Sequence, residues 1–481
     1  MGLVQIVAGS ARVRSSLMRG YRNSLPVPIV SLAVFLLVLV AAEAYAQPGQ
    51  ADQLGQACTT PGELRKSNPV LVCGEDRTLR YALPTDIPSA PEGGHRTRPE
   101  WFSTLGSIMG GPTTSCPALG RITFTNPVMS PDDVVSIVPQ GMMISDHVTP
   151  IDHGYLSGRS LNKPRDTRTD ADWLPVMAPA DGTIIELSTL GSPTSLRVTI
   201  AHGCETYSIY MVMNRVAGIL AAYHDELMAQ QSVRISLAVT AGTIFGEQRD
   251  NMLDFSVHDG AKWLPGLLAP FSYSMAEAWK PFTVDPWPYF SPDLGQAYES
   301  KMQRRSAPRW GVIDHDVAGR AAGNWFLRGT VGYTGASVAD YQANGPRFGM
   351  VEGKHTYAWS HLAVARHWVQ PSRWVFSVGW WANPAGDPKQ FLMEIPTGTP
   401  EPSELTQATG AVAYRLVTWS VAGQQGDAPL AIDYQLQPGS ASGIVALRVN
   451  PDGTLSVEVQ PGVTDVREFR GFTAAVRTYW R

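Results

Sequence analysis

At 481 residues the chain is longer than one core normally fills, since domains run to about 150 residues, so two or three compact units are expected. Hydrophobic residues at 44% and charged residues at 17% exclude an intrinsically disordered protein, while 45 Gly and 37 Pro disfavour long helices and favour short strands joined by turns. The formal net charge is −4, with no dense basic run beyond the N-terminus, which offers no electrostatic footprint for nucleic acid.

Residues 1–46 have the pattern of an export signal. Arg12, Arg14, Arg19 and Arg22 precede an apolar run from Val27 to Ala42, and Ala44-Tyr45-Ala46 supplies a small-x-small cleavage site before Gln47. An uncleaved anchor is the other reading of this segment, and the one membrane contact the sequence offers. Either way the bulk of the chain is expected in the periplasm or secreted. Cys58, Cys73, Cys116 and Cys204 all follow the signal, an even set in an oxidising compartment, and two disulfides are predicted. Three connectivities are open; the spacing makes Cys58–Cys73 the economical local loop, leaving Cys116 to pair with Cys204. No pair has the C-x-x-C spacing of a metal site.

Residues 47–120 are rich in Pro, Gly, Thr and Ser without sustained periodicity and read as an irregular, disulfide-pinned extension. From 121 to 270 short β-type runs dominate, among them Gly182–Leu187, Leu196–Ile200 and Tyr207–Met213. One helix is predicted over Val216–Met228, where Ile219, Leu220, Tyr223 and Leu227 share a face. Residues 271–300 set Pro281, Pro286, Pro288 and Pro292 among aromatics, as in an ordered linker packed on a neighbour. Residues 301–481 return to strands, such as Trp374–Val378, Gly443–Val449 and Thr454–Val459, with Asn450-Pro-Asp-Gly453 as a hairpin turn. Gly323-Asn-Trp325 resembles the G-x-W opening of lipocalin-like barrels. The expected fold is mainly β: a sheet domain followed by a second, Trp-rich β domain, either sandwich or barrel.

Chemistry concentrates between residues 147 and 260. In order come His147-Val-Thr-Pro-Ile-Asp152, Ala178-Pro-Ala-Asp-Gly182, His202-Gly203, Ser208-Ile-Tyr210, Ala241-Gly-Thr-Ile-Phe-Gly246 and Leu253-Asp254-Phe255. Together they resemble the lysostaphin/LytM-type zinc metallopeptidases, whose domain runs H-x-x-x-D, A-x-x-x-G, H-G, T-x-Y-x-H, A-G-x-x-I-G and H-x-H. The resemblance implies a β-rich domain, one zinc and cleavage of cell-wall peptide cross-links. Carried over by position, Asp152 matches the ligand Asp and His147 approximates the first ligand His, one residue too far away. Val212 stands where the T-x-Y-x-H histidine belongs, and Met252 and Asp254 stand where the two His of H-x-H belong.

The set His147, Asp152 and Asp254 would be harder and more anionic than a zinc hydrolase uses, suited if anything to another divalent cation. His153 and His258 are the candidates to replace the lost acid/base histidines. His153 is expected on the strand face opposite Asp152, and His258 to reach Asp254 only through a turn. His202 reads as structural, and the Asp side chains of Asp314-His-Asp316 as turn formers.

Two functions follow from the resemblance. One is an envelope protein whose degenerate, non-catalytic LytM-like domain binds or regulates at the cell wall, with cell-wall peptide or an envelope protein as partner. The alternative is an active metal-dependent endopeptidase using His147, Asp152 and Asp254.

Overall fold

The computed structural model describes residues 54–481 except 68, 89–93, 112–121, 348, 352–353, 356–357, 381–388 and 423–432. The export signal of residues 1–46 and Cys116 therefore lie outside the described residues. No helix among the described residues is long and apolar enough to cross a membrane.

The N-terminal segment is more ordered than its composition suggests. Strands β1 (Leu64–Arg65), β2 (Leu71–Cys73) and β3 (Leu79–Tyr81) form a small antiparallel sheet, followed by helix α1 (Leu105–Met109). The Cys58–Cys73 disulfide pins β2, as the spacing predicts, and Cys204 is also disulfide-bonded. The short covalent loop works together with a buried apolar cluster in which Val70, Val72, Trp101, Phe102 and Leu105 pack against Ala201 and Phe271.

The central sheet has eight strands. It uses β4 (Val134–Val138), β5 (Gly154–Gly158), β7 (Gly182–Ser192), β8 (Ser195–Ala201), β9 (Thr206–Met213), β11 (Ser232–Val239) and β13 (Leu253–Asp259) in the order β11-β7-β8-β9-β13-β5-β4, with β14 (Thr283–Val284) added beside β13. A second sheet of β10 (Arg215–Val216), β12 (Ile244–Gln248) and β6 (Leu174–Met177) packs on one face. The helix expected over Val216–Met228 is shorter: Arg215–Val216 is strand, Gly218–Tyr223 a 3₁₀ turn, and only α2 (His224–Gln230) is α-helical. Gly218 forces the break, with φ +50° and no room for a Cβ beside the Ile244 carbonyl.

Strand β13 shows how period-2 alternation builds the core. Leu253, Phe255 and Val257 point into a cluster with Tyr210, Trp287, Phe290, Tyr298 and Trp310, while Asp254, Ser256 and His258 alternate with them and so occupy the other face. Burying such side chains stabilises by about 1.5–3 kcal/mol each, which fixes the register. The aromatic anchors come from the Pro-rich segment, which contains α3 (Pro270–Tyr273), β14 and α4 (Pro292–Ser300) and packs tightly on the sheet.

The C-terminal part is a closed eight-stranded antiparallel barrel. Its strands are β15 (Gly323–Leu327), β18 (His361–Arg366), β19 (Trp374–Val378), β20 (Lys389–Glu394), β21 (Val412–Val421), β22 (Leu436–Val449), β23 (Leu455–Pro461) and β24 (Arg477–Trp480), each paired with the next, and β24 closes on β15. Between β15 and β18 lie helix α5 (Val338–Asn344) and a two-stranded ladder, β16 (Met350–Val351) with β17 (Lys354–His355). The choice the sequence left between sandwich and barrel is thus settled as a barrel. Trp325, Trp374, Phe376, Phe391 and Leu447 fill its interior. Trp325 is covered by the Arg481 guanidinium, 3.9 Å from the ring centroid.

Candidate functional site

The sheet gathers three of the five candidate residues into one buried cluster. Asp152 and His153 lie immediately before β5, and Asp254 enters β13 opposite Tyr155. His153 Nδ1 donates to Asp152 Oδ1 at 3.1 Å, and its Nε2 lies 3.4 Å from Asp254 Oδ2 and 3.2 Å from the Tyr155 hydroxyl. Asp152 is 5% exposed, His153 6% and Asp254 4%. The expectation that Asp152 and His153 face opposite ways is corrected: both precede the strand in irregular backbone, where alternation does not apply. The next residue is Gly154, where a Cβ would run into the Trp310 ring at 2.4 Å, so the chain descends onto the core directly after the cluster.

His147 stands at the edge. Its ring meets His153 edge-on, with centroids 6.1 Å apart. His258 lies on the same uninterrupted strand and the same face as Asp254, two pleats along, so no turn is needed to align them and Ser256 separates them. Nδ1 of His258 donates to the Trp279 carbonyl at 3.3 Å, and its Nε2 accepts from Ser256 Oγ at 3.0 Å. Both ring nitrogens are thereby committed. His202 is structural, as predicted, with Nδ1 3.0 Å from the Asp181 carbonyl and Nε2 2.7 Å from Ser208 Oγ.

The residue that sequence reasoning missed is Trp279. Its indole N–H donates to Asp152 Oδ2 at 3.0 Å, its carbonyl accepts from His258, and the Arg197 guanidinium lies 4.8 Å from its ring. The neighbouring Lys280, 2% exposed, pairs with Glu277 at 2.8 Å and donates to the Tyr333 hydroxyl at 2.9 Å. Segment 270–284 thus lies as a strap across the polar face of the sheet. The one sequence signal for it was the aromatic, Pro-rich character that marked this stretch as packed on a neighbour.

The electrostatics follow from burial. Burial pushes the Asp254 carboxyl up to about 7, with Asp152 adding to the rise and His153 opposing it. Burial acts in the same direction on Asp152, but the hydrogen bond from His153 and the charge of Lys280 hold it well below the usual carboxylate range. His153 is raised despite burial because Asp254 and Asp152 flank it. The result is a carboxylate held low at Asp152, an imidazole held above its ordinary value at His153, and an Asp254 carboxyl raised to about 7.

This donor set does not fit zinc. Asp152 Oδ1 and Oδ2 are both engaged, His153 holds two acceptors, and Asp254 Oδ1 is the buried oxygen of the cluster left without a partner. Among the described residues no group of three or more His, Cys, Asp or Glu is arranged to hold a metal ion. Val212, at the lost histidine position, sits in a bulge of β9, where Met211 and Val212 stand opposite Arg197 alone. Its φ of +56° is unusual for a β-branched residue. Fully buried Gln248 secures the bulge, donating to the Val212 carbonyl at 3.2 Å and accepting from Asn214 N–H at 3.0 Å. Met252 is partly buried against the cluster between sheet and barrel.

No family model and no curated protein matches the chain. Among solved structures it is similar to Helicobacter pylori Csd3, at 13% identity over 29% of this chain and 33% of that one, with a TM-score of 0.20. A second Csd3 crystal form aligns at 12% identity over 49% of this chain and 48% of that one, with a TM-score of 0.22. A chain of the SpoIIQ–SpoIIIAH pore-forming complex aligns at 12% identity over 29% of this chain and 85% of that one, with a TM-score of 0.20. The chain thus spans between a third and a half of Csd3. The LytM-type reading rests on the motifs and on where the sheet puts them.

Proposed function

We propose that this is an exported cell-envelope protein whose LytM-like sheet has no hydrolytic centre and serves binding or regulation at the cell wall. The observation that carries this reading is the capped carboxylate: Trp279 donates to Asp152 at the position where the family binds its metal and water. Peptide hydrolysis there needs an open coordination position and a general base within reach of water. Val212 and Met252 supply neither base nor ligand, and His258 spends both nitrogens on Ser256 and Trp279. Cell-wall peptide or another envelope protein is the partner, held by surfaces outside the strapped face.

The test is to incubate the mature chain with purified peptidoglycan, with and without added zinc. No soluble peptide fragments are expected by mass spectrometry, and the protein should sediment with the insoluble wall or with a cross-linked envelope protein. Release of fragments that stops in Asp152→Ala would instead establish the endopeptidase using His147, Asp152 and Asp254.

A further inference from the structure

A second polar cluster lies away from the strapped face and opens to solvent. It surrounds Trp173, which precedes β6: the Arg215 and Arg249 guanidinium carbons lie 3.8 and 4.1 Å from its ring centroid. With Arg165 and His224 these residues line a cavity of about 330 Å³, within the range of sites that hold small ligands. Asp250 is the one carboxylate in the lining, and it is already engaged by Arg249 at 3.1 Å and by Arg168 at 3.3 Å. Arg215 gives only its Nε edge to Glu247, at 2.5 Å. The exposed Arg165 guanidinium has no side-chain partner among the described residues. Arg249 also lies 3.7 Å from Asp170, so among the guanidinium groups of the lining Arg165 is the one without a carboxylate partner, and together with the Nη edge of Arg215 that Glu247 leaves open it offers fork geometry that matches a carboxylate at two points.

Part of the cavity wall is apolar, supplied by Pro193 and Met228. Such a wall takes a hydrocarbon or peptide body beside the anion rather than a bare inorganic ion. The Val212 bulge contributes too, because the strand turns through it to deliver Asn214 and Arg215 to the rim. We propose that this cleft binds the free C-terminal carboxylate of a short peptide, with Arg165 and Arg215 on the carboxylate and Pro193 and Met228 against the terminal side chain. None of these residues belongs to the Asp152–His153–Asp254 cluster, so the proposal stands whether or not the preceding reading does.

The test uses the full mature chain labelled with 5-fluorotryptophan, with the Trp173 ¹⁹F resonance assigned by Trp173→Phe. Titration with acetyl-Ala-Ala should move that resonance saturably, whereas the C-terminal amide of the same peptide should not. Arg165→Ala and Arg215→Ala should each weaken binding about tenfold, as expected for loss of one charge-assisted contact. Arg165 touches no core, so its variant keeps the test decisive even if Arg215→Ala fails to fold. A resonance that stays put, one that moves equally with the amide, or one that moves as far with inorganic phosphate would overturn the proposal.

Discussion

His258 and His202 are buried bases with both ring nitrogens engaged, and burial holds each near a pKa of about 4. Unfolding releases them to their ordinary value of about 6.5, so between these limits the unfolded chain binds more protons than the folded one. Stability should therefore fall as pH drops from about 6.5 to 4. Asp254 acts with the opposite sign: its folded value of about 7 lies above the unfolded one, so it lowers stability as pH rises from about 4 to 7. At about 1.4 kcal/mol per unit, His258 alone contributes up to about 3 kcal/mol of the acid sensitivity. Urea denaturation at pH 7 and pH 4.5 should show a smaller difference in His258→Gln than in the wild type. Asp254→Asn should remove the opposing slope and make the acid loss steeper. An unchanged difference in His258→Gln would show that this imidazole is already protonated in the fold.

The strap is the element that decides what the sheet does. Thr283 and Val284 pair with His258 and Val257 of β13, taking over the ladder edge that β5 occupies beside Leu253–Phe255. Just upstream, Lys280 and Trp279 hang over the polar face, so backbone pairing holds the side chains that cover the cluster. Trp279→Phe keeps most of the ring and removes the indole N–H, leaving the ionised, buried Asp152 one donor short. A loss of about 1.5–3 kcal/mol is expected, the range for hydrogen bonds to buried charged groups. It can be read from the urea midpoint at pH 7, where Asp152 is charged. A variant as stable as wild type would show that Trp279 lies over the site without securing Asp152.

The sheet and the barrel meet along a continuous apolar seam. Val138, Met142, Ile151 and Tyr155 pack against Ala363, Trp368, Val375, Leu392 and Tyr434 from the outer wall of the barrel. Polar ties reinforce it: Asp316 accepts from the backbone N–H of Leu268 and Asn324, and Lys280 Nζ donates to the Tyr333 hydroxyl at 2.9 Å. Residues 271–302 are built into the sheet core through Trp287, Phe290, Tyr298 and Met302, whereas 305–308 are exposed. Limited trypsin digestion should therefore cut first after Arg305 and give a C-terminal fragment of about 175 residues. Because the barrel closes on itself around its own core, that fragment should melt cooperatively once separated. Before urea is added the two fragments should co-elute, held by the seam. Immediate separation on size exclusion would show the seam to be weak, and a fragment that melts without cooperativity would show that the barrel needs the sheet.

Local patterns determined much of this protein. Alternation in Leu253–Asp259 fixed which side chains enter the core, because burial selects one face of a period-2 strand. The spacing of Cys58 and Cys73 identified a bridge that closes without help from the rest of the chain. The order of the motifs around Asp152, His202 and Asp254 resembles that of a LytM-type β-rich domain, and Val212 and Met252 at the histidine positions pointed to a missing base. What the tertiary structure decided is long-range. Trp279 reaches Asp152 across 127 positions, and the Arg481 guanidinium covers the Trp325 ring. Such pairs leave no periodic trace, since each partner is chosen by where two packed elements bring it and not by its neighbours in sequence. The same holds for His153: its bond to Asp152 depends on irregular backbone before β5, which no alternation rule describes.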